Sequence, residues 1–210
     1  MWAREISLEG FKNAVMELTI TTKEIAKGLS ANLEMILVEN TWLLNQIDFD
    51  QVNVLVDQIK KADHIFIIAA GRSGFSMRSA AMRLMHLGLQ VYFVGDTTTP
   101  AIQKGDLLIA ASGSGTTSTI VKAAEKAVAA EATVVALTTQ EHSPLAKIAH
   151  HLVYIPAAEK QDHENSRSRQ YAGSLFEQFL LLLTDAIFQS LWKSAGTPAE
   201  ELWERHANLE

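Results

Sequence analysis

Apolar and polar positions alternate along this chain in two distinct rhythms, and the switch between them outlines the fold. Over residues 7–47 Leu8, Phe11, Val15 and Leu18 keep helical spacing. Thr22 and Glu24 then open a second periodic stretch through Ile25, Leu29, Leu33, Ile36, Leu37 and Leu44, so two helices are predicted. A third is predicted over 50–61 from Val52, Leu55, Val56 and Ile59. From there short uninterrupted apolar runs at 64–70, 91–94, 107–111, 133–137 and 152–155 read as strands, separated by helical patterns at 74–87 and 117–130. Strands that are apolar on both faces and joined by helices belong to a mainly parallel sheet covered on both sides. The predicted fold is therefore α/β, a three-layer αβα sandwich with about five strands plus N-terminal helices. A polar stretch at 156–172 is too long for a tight connection and reads as a functional loop. Beyond it, 174–192 is a helix apolar around most of its circumference, hence buried in the core or against another subunit. Gly196-Thr-Pro198 punctuates, and a short final helix ends in His206-Ala-Asn-Leu-Glu210. We read residues 1–210 as a single domain, with an N-terminal helical extension over about 1–47 and C-terminal helices over 174–210.

Composition narrows what such a sheet can do. The 210 residues are 48% hydrophobic and 20% charged, which excludes disorder as a whole-chain reading. A net charge of −6 with scattered Lys and Arg leaves no basic footprint for nucleic acid. The absence of cysteine removes disulfides, thiol nucleophiles and Cys-based zinc sites, and points to the cytoplasm. The opening Met1-Trp-Ala-Arg-Glu lacks a signal peptide's apolar stretch, and the apolar runs are too short to span a bilayer, so no membrane association is expected. Asp162, His163 and Glu164 adjoin on the polar stretch, but neighbours on a flexible loop rarely converge on one ion, so no metal is expected.

Chemistry concentrates at two strand ends. Gly71-Arg72-Ser73-Gly74 follows the first major strand, and Ser112-Gly113-Ser114-Gly115-Thr116-Thr117 follows the second. A glycine after a strand often does no more than turn the chain, yet two such turns opening onto helices place unpaired N–H groups and small hydroxyls where an anion is favoured. The second turn has no lysine for a nucleotide's β/γ-phosphates and no third glycine of a dinucleotide fingerprint, and no Gly-x-Ser-x-Gly elbow occurs. What remains suits one phosphate monoester.

These loops resemble the sugar isomerase (SIS) domain. With Ala81-Met-Arg-Leu-Met-His86, Gly95-Asp-Thr-Thr-Thr-Pro100, Tyr171-Ala-Gly-Ser-Leu-Phe-Glu-Gln178 and the terminal His206-Ala-Asn-Leu-Glu210, the likeness extends over residues 30–210 to the 6-phospho-3-hexuloisomerase family, without departure at the motif positions. The resemblance implies interconversion of D-arabino-3-hexulose 6-phosphate and D-fructose 6-phosphate through an enediolate, without a cofactor. It places the enzyme in the ribulose monophosphate route of formaldehyde fixation, beside 3-hexulose-6-phosphate synthase, and implies a homodimer or homotetramer. It makes Glu177 the catalytic base. That carboxylate is flanked by Phe176 and Phe179, where partial desolvation favours holding the proton. Ser174-Leu-Phe-Glu177 also reads as a capping box, in which Glu177 serves only its own helix. His86 is implied in ring opening or in handling the C2 and C3 oxygens, although a helix-terminal histidine is more often a dipole partner or a packing residue. Arg72, Ser73, Ser112, Gly113, Ser114, Gly115, Thr116 and Thr117 are the expected substrate-binding set, Arg72 being otherwise a solvated loop residue or a salt-bridge partner, and His206 is expected to complete a neighbouring subunit's site, being otherwise part of an exposed chain end. Two competing functions fit the same loops: another phosphosugar aldose–ketose isomerase, and a non-catalytic sugar-phosphate sensor.

Overall fold

Side chains on successive strand residues point to opposite faces, so an uninterrupted apolar strand needs a cover on each side. The computed structural model, which describes residues 22–158 and 168–209, supplies both. The chain divides into two compact units, residues 1–38 and 39–210. The boundary falls within the first described helix, α1 (Thr22–Leu44). In the first unit, residues 22–38 are helical, and Ile25, Leu29, Leu33 and Leu37 on them are exposed. The helix predicted on Leu8 to Leu18 lies outside the described residues, as does the Asp162-His163-Glu164 run.

The second unit carries the sheet. After α1 come α2 (Phe49–Lys61), β1 (Ile65–Ala69), α3 (Gly71–His86), β2 (Val91–Phe93), β3 (Leu107–Ala111), α4 (Ser118–Ala129) and β4 (Thr133–Thr138). Then follow α5 (Pro144–Ile148), β5 (His151–Tyr154), α6 (Ser174–Ala195) and α7 (Ala199–Trp203). All five strands are parallel, in the order β2-β1-β3-β4-β5. Ile65, Ile67, Leu107, Ile109, Val135 and Leu137 face one layer, where α2, α3 and α6 contribute Leu55, Ile59, Met77, Leu84, Phe179 and Leu183. Phe66, Ile68, Leu108, Ala110, Val134 and Ala136 face the other, under Ile120, Ala124 and Ala127 of α4 and Leu145 of α5. Each fully buried side chain of this size contributes roughly 1.5–3 kcal/mol of transfer free energy. The predicted three-layer αβα architecture is thus the observed one.

Three local details differ from the pattern. α3 begins at Gly71 rather than at 74, one residue after the strand, because Ala70 is its N-cap and its carbonyl accepts the Gly74 N–H at 3.2 Å. The Gly71–Gly74 loop is therefore the first turn of a helix. α5 was not predicted: five residues are too few to show a helical period, although Ser143 caps it by accepting the Ala146 N–H and Pro144 opens it. α6 runs on to Ala195, where Gly196 at φ 65° ends it.

Candidate active site

The chain leaves β1 toward β2 on one side and reaches β3 on the other, so β1 and β3 flank the point where the winding direction reverses. Helices diverge there and leave a crevice at the carboxyl ends of the strands. A cavity of about 250 Å³ occupies it. Its walls come from the start of α3 (Gly71, Ser73), the turn after β3 (Ser112, Gly113, Ser114, Thr117), and the start of α6 (Gly173, Phe176, Glu177). Ala158 and Ile120 close it with apolar surface.

Hydroxyls dominate the polar lining, and they are tied to one another. Ser112 Oγ lies 3.1 Å from Thr117 Oγ1 and accepts the Gly115 N–H at 3.2 Å. Ser114 Oγ accepts from Thr116 Oγ1 at 2.9 Å and from the Thr116 N–H at 3.3 Å. Gly115 adopts φ 62°, a left-handed conformation that glycine tolerates, and a Cβ there would collide with the Ser143 side chain. Gly115 and Thr116 thus shape the turn without reaching the cavity wall, whereas Ser73, Ser112, Gly113, Ser114 and Thr117 form it.

Among the described residues Glu177 is the one acidic group lining the cavity, and it is 5% exposed. The capping-box reading does not hold. Gly173, at φ 78°, is the N-cap of α6, so Ser174 is already helical and its N–H donates to the Tyr171 carbonyl. The Ser174 hydroxyl instead accepts from Arg72 Nη1 at 3.1 Å, and the same nitrogen lies 2.9 Å from Glu177 Oε2. Ser76 of α3 donates to the Glu177 carbonyl at 2.7 Å, fixing the first turn of α6 against α3. The Arg72 side chain is 63% exposed and does not line the cavity, so the partner of the buried carboxylate is itself solvated. One cavity thus brings together a buried carboxylate, paired with a guanidinium, and a hydroxyl-rich turn.

His86 and His206 come together, but not here. Their rings stack at 4.1 Å with 7° between planes, and neither lines the cavity. His86 is 4% exposed and among the described residues its Nδ1 has no hydrogen-bond partner. Burial, together with the nearby His206 and Arg83, holds its pKa below the ordinary 6.5 and favours the neutral ring.

Sequence reasoning missed two supports of the site. Glu39 of α1 accepts from Ser168 Oγ at 2.6 Å, the Arg169 N–H at 2.7 Å and Gln170 Nε2 at 2.9 Å. Gln178 Nε2 donates to Gln170 Oε1 at 2.7 Å, and Asn40 Nδ2 donates to Gln178 Oε1 at 2.9 Å. This clamp holds the segment that leads into Gly173 and Glu177. Burial acts to raise the Glu39 pKa, but the three hydrogen bonds and the Arg169 charge outweigh it and hold the carboxyl below its ordinary 4.5. The other support is Thr138 and Thr139, whose hydroxyls reach the turn after β3 from behind. An isolated glutamate on a helix and two threonines at and just after a strand end carry no sequence signal for either role.

The SIS domain model matches residues 58–182. The 3-hexulose-6-phosphate isomerase of Mycobacterium gastri is 54% identical over 90% of this chain and 94% of its own, and that of Bacillus subtilis (strain 168) is 39% identical over 78% and 89%. The crystal structure of protein MJ1247 from Methanococcus jannaschii, described as inferring a 3-hexulose-6-phosphate isomerase function, superposes with a TM-score of 0.75 at 32% identity. That superposition covers 86% of this chain and 99% of the other. Among the described residues no helix is long and apolar enough to cross a membrane. By fold, by the match over residues 58–182 and by identity across most of its length, the chain belongs to the SIS domain family, among relatives named 3-hexulose-6-phosphate isomerase.

Proposed function

We propose that this protein interconverts D-arabino-3-hexulose 6-phosphate and D-fructose 6-phosphate, with Glu177 as the base. One observation carries the reading: a buried carboxylate faces a hydroxyl-lined anion seat in one small cavity at the switch point of the sheet. Ser73, Ser112, Ser114 and Thr117 with the Gly113 and Ser114 amides hold the phosphate, leaving the C2–C3 end of the sugar toward Glu177. The carboxylate takes the proton from C2 of the 3-ketose, and the electrons of that C–H bond form the C2–C3 double bond of an enediolate. The proton returns to C3 while the C2 hydroxyl proton passes to the C3 oxygen, so that C3 becomes the hydroxyl-bearing carbon and C2 the carbonyl. Glu177 thus accounts for the carbon-bound proton, and Arg72 offsets negative charge on the oxygens. A second group must move the oxygen-bound proton. We assign it to His86, assisted by His206, reaching from a neighbouring copy of the chain, because the stacked pair lies apart from its own cavity. The enzyme is then a homo-oligomer, a tetramer on our reading, serving the ribulose monophosphate route together with the synthase that makes its substrate.

Solvent exchange tests this directly. In deuterated water, fructose 6-phosphate formed from the 3-hexulose phosphate should carry deuterium at C3. Tight binding of the sugar phosphate with neither product nor exchange would identify a sensor instead. A sedimentation profile holding only a 23.1 kDa species at assay concentration would exclude the shared site.

A further inference from the structure

The Gly113 carbonyl oxygen accepts three hydrogen bonds, from Thr138 Oγ1 at 2.9 Å, Thr139 Oγ1 at 2.8 Å and the Thr139 N–H at 3.0 Å. A carbonyl has two lone pairs, so this acceptor is saturated. Both threonines are buried, at 0% and 1% exposure, Thr138 is the last residue of β4 and Thr139 follows it, and neither lines the cavity. A valine at either position would suit a buried strand end equally well, so the hydroxyls need another reason.

Peptide geometry provides it. In a planar trans peptide the N–H of Ser114 points away from the Gly113 carbonyl. Gly113 and Ser114 both line the cavity, and among the described residues the Ser114 N–H has no acceptor. Turning the carbonyl back onto β4 therefore turns the N–H toward the anion seat. The opposite orientation would present a carbonyl oxygen to a phosphate, and a glycine at this peptide offers little steric resistance to that flip. Three donors on the oxygen supply the resistance. They also withdraw charge through the peptide and strengthen the N–H as a donor, by roughly 10–30% per bond.

We propose that Thr138 and Thr139 are positioning residues for phosphate recognition: they lock the Gly113–Ser114 peptide so that its N–H, and not its carbonyl, meets the anion. This rests on the reading of the turn after β3 as the phosphate anchor. The test compares wild type, the double variant T138V/T139V and its serine counterpart T138S/T139S. Inorganic phosphate binding is measured by calorimetry, and kcat and KM with the sugar phosphate, alongside melting temperature.

A bond held equally in ground and transition states moves KM and leaves kcat. The valine variant should bind phosphate about tenfold more weakly and show a similar rise in KM, with kcat within twofold, and the serine variant should restore both. Wild-type phosphate affinity in the valine variant overturns the proposal, and so does a serine variant as impaired as the valine one. Wild-type protein that binds no phosphate refutes the anchor reading itself, a result distinct from an unaffected valine variant. Should the double variant not fold, T138V alone, which leaves both Thr139 bonds in place, should weaken phosphate about threefold, and no change in it counts against the proposal.

Discussion

Replacing Glu177 by Gln separates the proton-transfer role from every structural role that residue has. The side chains are nearly isosteric, and the amide oxygen can still accept from Arg72 Nη1, which now stands 2.9 Å from Oε2 and 3.1 Å from Ser174 Oγ. What is lost structurally is the ionic part of a pair whose guanidinium is 63% exposed. Such pairs contribute about 0–1 kcal/mol, and removing a charge from a site 5% exposed relieves some desolvation in return. A change within about 1 kcal/mol moves the melting temperature of a domain this size by about 2–4 °C at most. Chemistry responds on another scale. A positioned general base contributes about 10²–10⁴-fold, or roughly 3–5 kcal/mol of barrier, so kcat should fall by that factor. The assay is fructose 6-phosphate formation followed by NMR in deuterated water, with a thermal melt on the same sample. Turnover within tenfold of wild type would refute the assignment of the base. Loss of activity accompanied by a collapse in melting temperature would show that Glu177 holds the fold rather than the proton.

Three further outcomes follow from the same geometry. Gly115→Ala places a Cβ against the Ser143 side chain in a backbone with φ 62°, and should destabilise the protein by about 2 kcal/mol or more in urea unfolding, where an unchanged midpoint would contradict the close approach. The folded-state pKa of Glu39 lies below the ordinary 4.5, so its stabilising contribution is complete above that pH and fades as pH falls through the lowered value; Glu39→Gln should flatten this part of the stability profile, and an unaltered acid limb would remove Glu39 as its source. For His86 the folded value lies below 6.5, so the unfolded chain binds more protons between the two and stability should decline as pH drops from 6.5 toward the folded midpoint. An NMR titration should find that midpoint below 6.5, and His206→Ala should move it upward, since burial by the stacked ring and repulsion both diminish.

How far the sequence speaks depends on the range of the forces involved. Strand runs such as Leu107–Ala111 announce themselves because a two-sided buried strand must be apolar at every position, and helices such as α2 because one buried stripe repeats every turn. The Ser112–Thr117 turn is equally legible, since a backbone that must bend behind a strand end draws on glycine and small hydroxyl residues. Local pattern misleads where a distant residue competes for the same groups. Ser174 and Glu177 have capping-box spacing, but Arg72, 102 residues before Ser174, takes the serine hydroxyl and pairs with the carboxylate, while Gly173 takes the cap.

The sequence alone therefore determined the layers, the parallel sheet and the two turns, all consequences of hydrophobic periodicity and backbone conformation within a dozen residues. Only the tertiary structure decided that β1 and β3 are neighbours and that their turns and the start of α6 share one cavity. It also decided that Glu39 and the Thr138–Thr139 pair brace that cavity from outside, and that His86 stacks on His206 away from it. Those are contacts between residues far apart in the chain, chosen by how packed elements meet, and no local preference of the amino acids encodes them.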